Sequence, residues 1–247
     1  MKKLLILQMR PEDATADSEF EAILRVGGLK RDQAHRIRLE QQTPEVDLDQ
    51  YAAVIAGGSP FDVSTPEAEK GRVQKDIEAF YQKLFDRMIP NDFPFLGCCS
   101  GNGLLGQYCG TPISRTYSEP IGSVAITVTE AGSQDPLLKG LPRKFDALVG
   151  HKEACDQVPP GATLLASSET CPVQMFRIKQ NLYATQFHPE ADAGEFILRI
   201  KTYNDYGYFA PEEADALITA VSQADTPVAR EILRRFVARY KEGHQNS

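Results

Sequence analysis

Apolar residues recur along this chain in two rhythms. Compact runs occupy residues 3–9 (KLLILQM), 51–58 (YAAVIAGG) and 93–98 (FPFLGC), each ended by polar residues or glycine. Runs this short, bounded by turn residues, predict buried strands. HRIRLEQ at 35–41 alternates and predicts the second strand in chain order. Between the runs the period lengthens. Phe20, Ile23, Leu24 and Val26 recur at helical spacing and stop at Gly27-Gly28. Val73, Ile77, Phe80, Leu84 and Met88 follow at intervals of three and four and predict a long helix. Its start is read at Ser64-x-x-Glu67, a capping-box pattern with Pro66 inside it. GNGLLGQY, after FPFLGC, opens another helix. This strand–helix order predicts an α/β fold, a parallel sheet covered by helices.

The pattern changes over 112–187. VAITVT, KFDALVG, ATLLASS, VQMFRI and LYATQF are strand-like segments parted by Gly, Pro and Asp turns, which predicts mixed or antiparallel pairing there. After Pro189 the chain turns helical. Thr226-Pro227 is a helix start, and Val228, Ile232, Leu233, Phe236, Val237 and Tyr240 form an apolar stripe after it. That stripe reads as a helix docked on the body, with a homodimer contact as the alternative.

Length and composition narrow the function classes. The chain has 247 residues, 42% hydrophobic and 25% charged, enough for one large domain with a substantial core. A net charge of −7 argues against a dedicated nucleic-acid binder, which needs a Lys/Arg patch for phosphates. No run of apolar residues is long enough for a membrane span. The apolar run after Met1-Lys2-Lys3 is too short for a signal peptide and reads as the first strand. Five cysteines without CxxC or His/Cys zinc spacing predict reduced thiols in a cytoplasmic protein and no metal site.

The chemistry concentrates at Phe95-Leu96-Gly97-Cys98-Cys99-Ser100-Gly101-Asn102-Gly103, where a buried strand meets a helix through a G-x-C-x-G core. This is the pattern of a nucleophile elbow, whose flanking glycines let strand and helix approach. Centring the turn on Cys98 would put Leu96 and Ser100 at the glycine positions, so Cys99 is the nucleophile and Cys98 a buried strand residue. A helix N-terminus favours the thiolate, and the N–H of Ser100 is placed for a developing oxyanion. The bland alternative is a buried, inert cysteine. Cys109, Cys155 and Cys171 belong to no motif and read as structural. A thiol nucleophile needs a base and a group to orient it. His188, in Gln186-Phe187-His188-Pro189-Glu190, ends a strand, and Glu190 can reach back to its other nitrogen. His151, in Gly150-His151-Lys152-Glu153, also ends a strand and either lines the pocket or is a plain turn residue. His35 starts a strand. His244 lies in a polar tail and is set aside.

Together these motifs resemble the class I, triad-type glutamine amidotransferases, in particular stand-alone relatives of the GMP synthase glutaminase domain. Gly57-Gly58-Ser59-Pro60 resembles the family's oxyanion strand, Gly97–Gly101 its elbow and Gln186–Glu190 its His-Pro-Glu end. Weaker echoes lie at Glu119–Gly122, His151–Glu153, Leu164–Ser167 and Gln174–Arg177. The resemblance spans roughly residues 1–200. It implies a flavodoxin-like domain over 1–208, with 209–247 a helical extension packed on it. It also implies a γ-glutamyl thioester on Cys99, general acid–base work by His188 oriented by Glu190, and an oxyanion hole from the N–H groups of Gly58 and Ser100. Gly57, Ser59, Gly103, Gln107 and His151 are the expected substrate-binding positions. No metal or cofactor is implied.

The sequence departs from the family where Gly103 replaces a substrate-holding Gln, with Gln107 one helical turn on as the replacement. Ser59 is an extra residue in the oxyanion turn, and no Walker loop or synthetase domain is present. Three functions fit: a glutaminase feeding a separate synthetase or ammonia-acceptor subunit, a γ-glutamyl peptide hydrolase acting alone, and a non-catalytic binding or regulatory module.

Overall fold

Apolar runs of strand length alternate with amphipathic stretches through the first half of the chain, and the backbone follows them. The computed structural model describes residues 2–204 and 209–241. His244 and the junction at 208 lie outside the described residues. In chain order the elements are β1 (Lys3–Gln8), α1 (Asp13–Gly27), β2 (Ala34–Arg38), β3 (Tyr51–Ala56), α2 (Arg72–Met88), β4 (Phe95–Cys98), α3 (Ser100–Tyr108), β5 (Ile113–Ser114), β6 (Glu119–Val128) and α4 (Glu130–Gln134). There follow β7 (Lys144–His151), β8 (Ala154–Cys155), β9 (Ala162–Ser167), β10 (Met175–Ile178), β11 (Leu182–Thr185), α5 (Ala193–Thr202), α6 (Ala214–Ser222) and α7 (Pro227–Tyr240).

Nine strands form one sheet in the order β2-β1-β3-β4-β11-β10-β9-β6-β7. The pairs from β2 to β11 are parallel. Those from β11 to β7 are antiparallel. The architecture is therefore the expected α/β sheet between helices, with the middle of the chain adding an antiparallel wing. Strand alternation divides the core. Leu4 and Ile6 face α1 and α7, meeting Phe20, Ile23 and Phe236. Leu5 and Leu7 share the opposite cluster with Ile77, Phe85 and Leu104 of α2 and α3. A third cluster joins Ile121 and Leu148 to Phe196, Ile200 and Val221.

Two sequence expectations shift. The long helix starts at Arg72 with Gly71 as its N-cap, not at Ser64. Glu67 instead reaches Lys70 and Lys75, and the Ser64 and Val63 N–H groups are taken by Glu153. HRIRLEQ forms a strand only to Arg38, although the Leu39 N–H still donates to the Gln8 carbonyl. Among the described residues no helix is long and apolar enough to cross a membrane.

Candidate active site

The parallel strands β3, β4 and β11 end side by side, which brings three distant stretches of chain to one edge of the sheet. β4 runs into α3 through Cys99, the N-cap, at φ 53° and ψ −100°. Only two other described non-glycine residues have positive φ. Such strain persists where the surroundings enforce it. Here the Cys99 N–H is fixed to the Thr185 carbonyl of β11 at 2.8 Å, and its carbonyl receives the Asn102 N–H at 2.9 Å. The turn also needs bare glycine. A Cβ on Gly97 would lie 2.6 Å from the Gly101 carbonyl oxygen. Cys98 points the other way, fully buried in the α1–α7 core.

His188 lies three residues past the end of β11, its N–H held by the Leu148 carbonyl of β7 at 3.0 Å. The imidazole is 3% exposed, and its Nδ1 lies 2.7 Å from Glu190 Oε1. Burial lowers the His188 pKa. Glu190 opposes that, and Arg199 and Arg10 add to the lowering. Burial pushes the Glu190 carboxyl up, but His188 and Arg199 outweigh it and hold it well below the usual carboxylate range. The Cys99 thiol is pushed up to about 12, chiefly by burial, with Arg10 the main opposing influence. Both shifts favour the uncharged thiol and imidazole over the thiolate–imidazolium pair.

Cys99 lies between two small clefts. One contains Asp62, Gly103, His151, Lys152, Glu153 and Gln186. The other contains His188, Arg10, Phe196, Arg199 and Tyr203. Ser59 and Gly150 border both. A cavity of about 760 Å³ between α2 and residues 43–47 lies apart from Cys99, His188 and Glu190.

The other expected site residues divide. Ser100 begins α3, where a helix's first N–H groups lack intrahelical partners, and its hydroxyl donates to the Ser59 carbonyl at 3.2 Å. Gly58 sits against His188: a Cβ there would lie 3.1 Å from His188 Cε1 and 2.5 Å from Arg10 Nη2. Its N–H, however, donates to Glu19 Oε2 at 3.2 Å, so in this conformation it serves that carboxylate. The Gly57 N–H is bound to the Leu7 carbonyl. Gly103 borders the cleft with room for a side chain, its nearest neighbours being Val63 and Glu153 at 3.6 and 3.9 Å from a built Cβ. Gln107 does not replace it. One turn further along α3 the helix has left the cleft, and Gln107 is exposed.

His151 borders the cleft but is fully engaged. Nε2 lies 2.8 Å from Glu119 Oε2 and Nδ1 3.0 Å from the Glu153 carbonyl. Glu119, His151 and Cys171 bring three potential metal ligands within 4.8 Å of one another. The Glu119 oxygens already accept from Thr170, Ser168 and Gln174.

Several site residues carry no local sequence signal. Glu19 of α1 is fully buried and accepts from Gln8, Arg10 and Gly58. Arg10 also donates to the Tyr203 hydroxyl at 3.1 Å. Arg199 of α5 reaches Glu190 and His188, both at 3.0 Å. Gln186 was within reach of sequence reasoning, since it opens the His-Pro-Glu motif. Its Nε2 lies 4.0 Å from the Cys99 sulfur, and its buried Oε1 has no partner. Glu153 was equally within reach. Its carboxylate receives the Val63 and Ser64 N–H groups at 2.5 and 2.8 Å and so ties down the loop after β3.

Known proteins share this sequence pattern and this frame. A family model described as "Glutamine amidotransferase class-I" matches residues 16–201. A glutamine-hydrolyzing GMP synthase subunit of Pyrococcus abyssi is 33% identical over 122 residues, 48% of this chain and 63% of that protein. The subunit of the same name from Pyrococcus furiosus is 31% identical over 156 residues, 62% of this chain and 77% of that one. The match thus spans about half to three-quarters of the length of such curated relatives. Among solved structures, a glutamine amidotransferase from Thermotoga maritima superposes with a TM-score of 0.77 at 21% identity, covering 98% of this chain and 100% of that one. At that identity the likeness concerns the fold.

Proposed function

Because the chain belongs to the class-I glutamine amidotransferase family, we propose that it hydrolyses the γ-amide of glutamine through a γ-glutamyl thioester on Cys99. The observation that carries this reading is the strained, helix-capping Cys99 bordering one cleft with a buried His188 that Glu190 contacts at 2.7 Å. His188 accepts the thiol proton at Nε2 as sulfur attacks the γ-carbonyl carbon. The Ser100 N–H meets the oxyanion, and Gly58 joins it only by releasing Glu19. The carbon–nitrogen bond then breaks, the nitrogen takes the proton from His188, and ammonia leaves. Water gives a proton to His188 and attacks the thioester. The carbon–sulfur bond breaks, and the thiol is restored beside glutamate.

The proton path assigns the two clefts. The departing nitrogen must face His188, which leaves the glutamyl chain to the cleft beside Gly103. There Lys152 faces Asp62 at 3.2 Å, and the Glu153 carboxylate is close by. Opposite charges at that end suit the α-ammonium and α-carboxylate of an amino acid. The relatives' designation as subunits supports transfer of the ammonia to a separate synthetase or acceptor subunit. The bare wall at Gly103 keeps a second reading in play, hydrolysis of γ-glutamyl peptides without such a partner.

The test is to incubate the purified protein with glutamine and with a panel of γ-glutamyl dipeptides and follow ammonia and glutamate. Glutamine turnover that disappears in Cys99→Ala is expected. Dipeptide cleavage without glutaminase activity would favour the second reading. A Cys99 inert to every substrate and to a γ-glutamyl electrophile would point to a binding module instead.

A further inference from the structure

Nδ1 of His188 has two neighbours that cannot both be its hydrogen-bond partners. Glu190 Oε1, at 2.7 Å, is an acceptor and needs a hydrogen on Nδ1. Arg199 Nη1, at 3.0 Å, is a donor and needs a bare lone pair there. With the hydrogen on Nδ1, Nε2 is bare and can take the thiol proton. With it on Nε2, the base is blocked. The same guanidinium settles the matter through its other arm, because Nη2 donates to Glu190 Oε1 at 3.0 Å. One carboxylate oxygen is thus shared by His188 and Arg199, while Oε2 is buried with no partner. The oxygen that takes the His188 hydrogen is therefore the one Arg199 anchors. Arg199 is itself 5% exposed, its guanidinium over the Phe196 ring at 5.1 Å and 3.7 Å from Glu19.

We propose that Arg199 is a positioning residue for the base. It anchors the Glu190 oxygen that takes the His188 Nδ1 hydrogen, and its charge keeps that ring unprotonated until the thiol gives up its proton. The inference rests on the triad assignment but does not need glutamine as substrate. The charged and titratable groups facing His188 are Glu190 beyond β11, Arg199 on α5, Arg10 beyond β1 and Cys99 at the elbow, with Glu19 of α1 behind the two arginines. The two carboxylates favour the protonated ring, and the two guanidiniums oppose it. Removing Arg199 leaves the carboxylates in the majority, so protonation of His188 becomes easier. This direction agrees with the part of the His188 pKa depression that comes from Arg199.

The experiment titrates His188 by NMR in protein carrying labelled histidine, alongside kcat and KM for glutamine. In the unaltered protein His188 should titrate below its ordinary value. Arg199→Met should raise that midpoint by about one pH unit or more, and move the acidic limb of kcat/KM upward equally. It should also cut kcat by roughly tenfold or more with little change in KM. Arg199→Lys, which restores charge without the fork, should keep the midpoint low and recover part of kcat. An unmoved midpoint in a folded Arg199→Met protein would overturn the proposal, even if its melting temperature fell. If Arg199→Met does not fold, the same midpoint measured in Arg199→Gln decides. An absence of glutamine turnover in the unaltered protein would count against the proposed substrate, and the histidine titration would still decide the role of Arg199.

Discussion

Adjacent cysteines with opposite fates make the sharpest contrast at the residue scale. Cys98 packs into the core beneath α1 and α7, and burial raises its pKa well above the ordinary thiol value. Cys99, one residue on, turns out of the sheet at positive φ. Cys99→Ala should abolish thioester formation and turnover while the protein still melts cooperatively. Cys98→Ala should cost about 1 kcal/mol of stability and leave activity largely intact. Equal activity loss in a folded Cys98→Ala protein, measured by ammonia release, would transfer the nucleophile's role.

His188 sets the pH dependence. Burial and two guanidiniums outweigh Glu190, so the folded pKa lies below the ordinary histidine value. The base is active when unprotonated, so the acidic limb of kcat/KM should fall below about 6.5. Stability shares the sign. As pH falls through about 6.5 the unfolded chain takes up the proton first, and folding free energy is lost until the folded pKa is reached. A urea titration at several pH values checks it, and stability rising on acidification through that range would contradict it.

At the element scale, helix α7 was legible in its apolar stripe, because one face of it packs against α1 and β7 and reaches Tyr183 of β11. Ile232, Leu233, Phe236 and Val237 are all fully buried, and Phe236 meets Tyr183 edge to face at 6.3 Å. The alternative of a dimer contact for that stripe is displaced by this packing. Phe236→Ala should cost about 3–5 kcal/mol, read as a lower urea midpoint, with the reactivity of Cys99 kept in the protein that remains folded. The inner parallel strands β1, β3 and β4 were legible because each is a nearly unbroken apolar run buried on both faces, while the edge strand β2 alternates. The start of α2 was not. Ser64 and Glu67 match a capping box in spelling, but Glu153, far off in sequence, captures the Ser64 N–H that the box would have used, and the Val63 N–H beside it. The two-residue pairing of β5 with β8 has no periodicity to read.

On the scale of the whole molecule, the site was legible where its residues cluster in the chain and invisible where the fold assembles them. Cys99, His188 and Glu190 stand in short motifs. Arg10 after β1, Glu19 on α1 and Arg199 on α5 meet only as charges that must be paired once buried. Gln107 failed as a replacement for the missing side chain because helix direction, not spacing alone, decides what a cleft sees. The surface makes a further point: among the described residues Val73 is the one large hydrophobic side chain that is exposed. A monomer of 27.3 kDa is therefore expected by light scattering in the absence of other proteins, and a stable dimer would contradict it.

Glu19 holds Gly58 in place, and Gln8 and Arg10 hold Glu19. The family match opens at residue 16, beyond both of those supports. A fragment excised along that border would keep every motif by which the family is recognised. It would nonetheless strand a carboxylate in the interior and let go of the turn beside the base. Part of what holds this candidate centre together is thus supplied from outside the stretch that identifies the family.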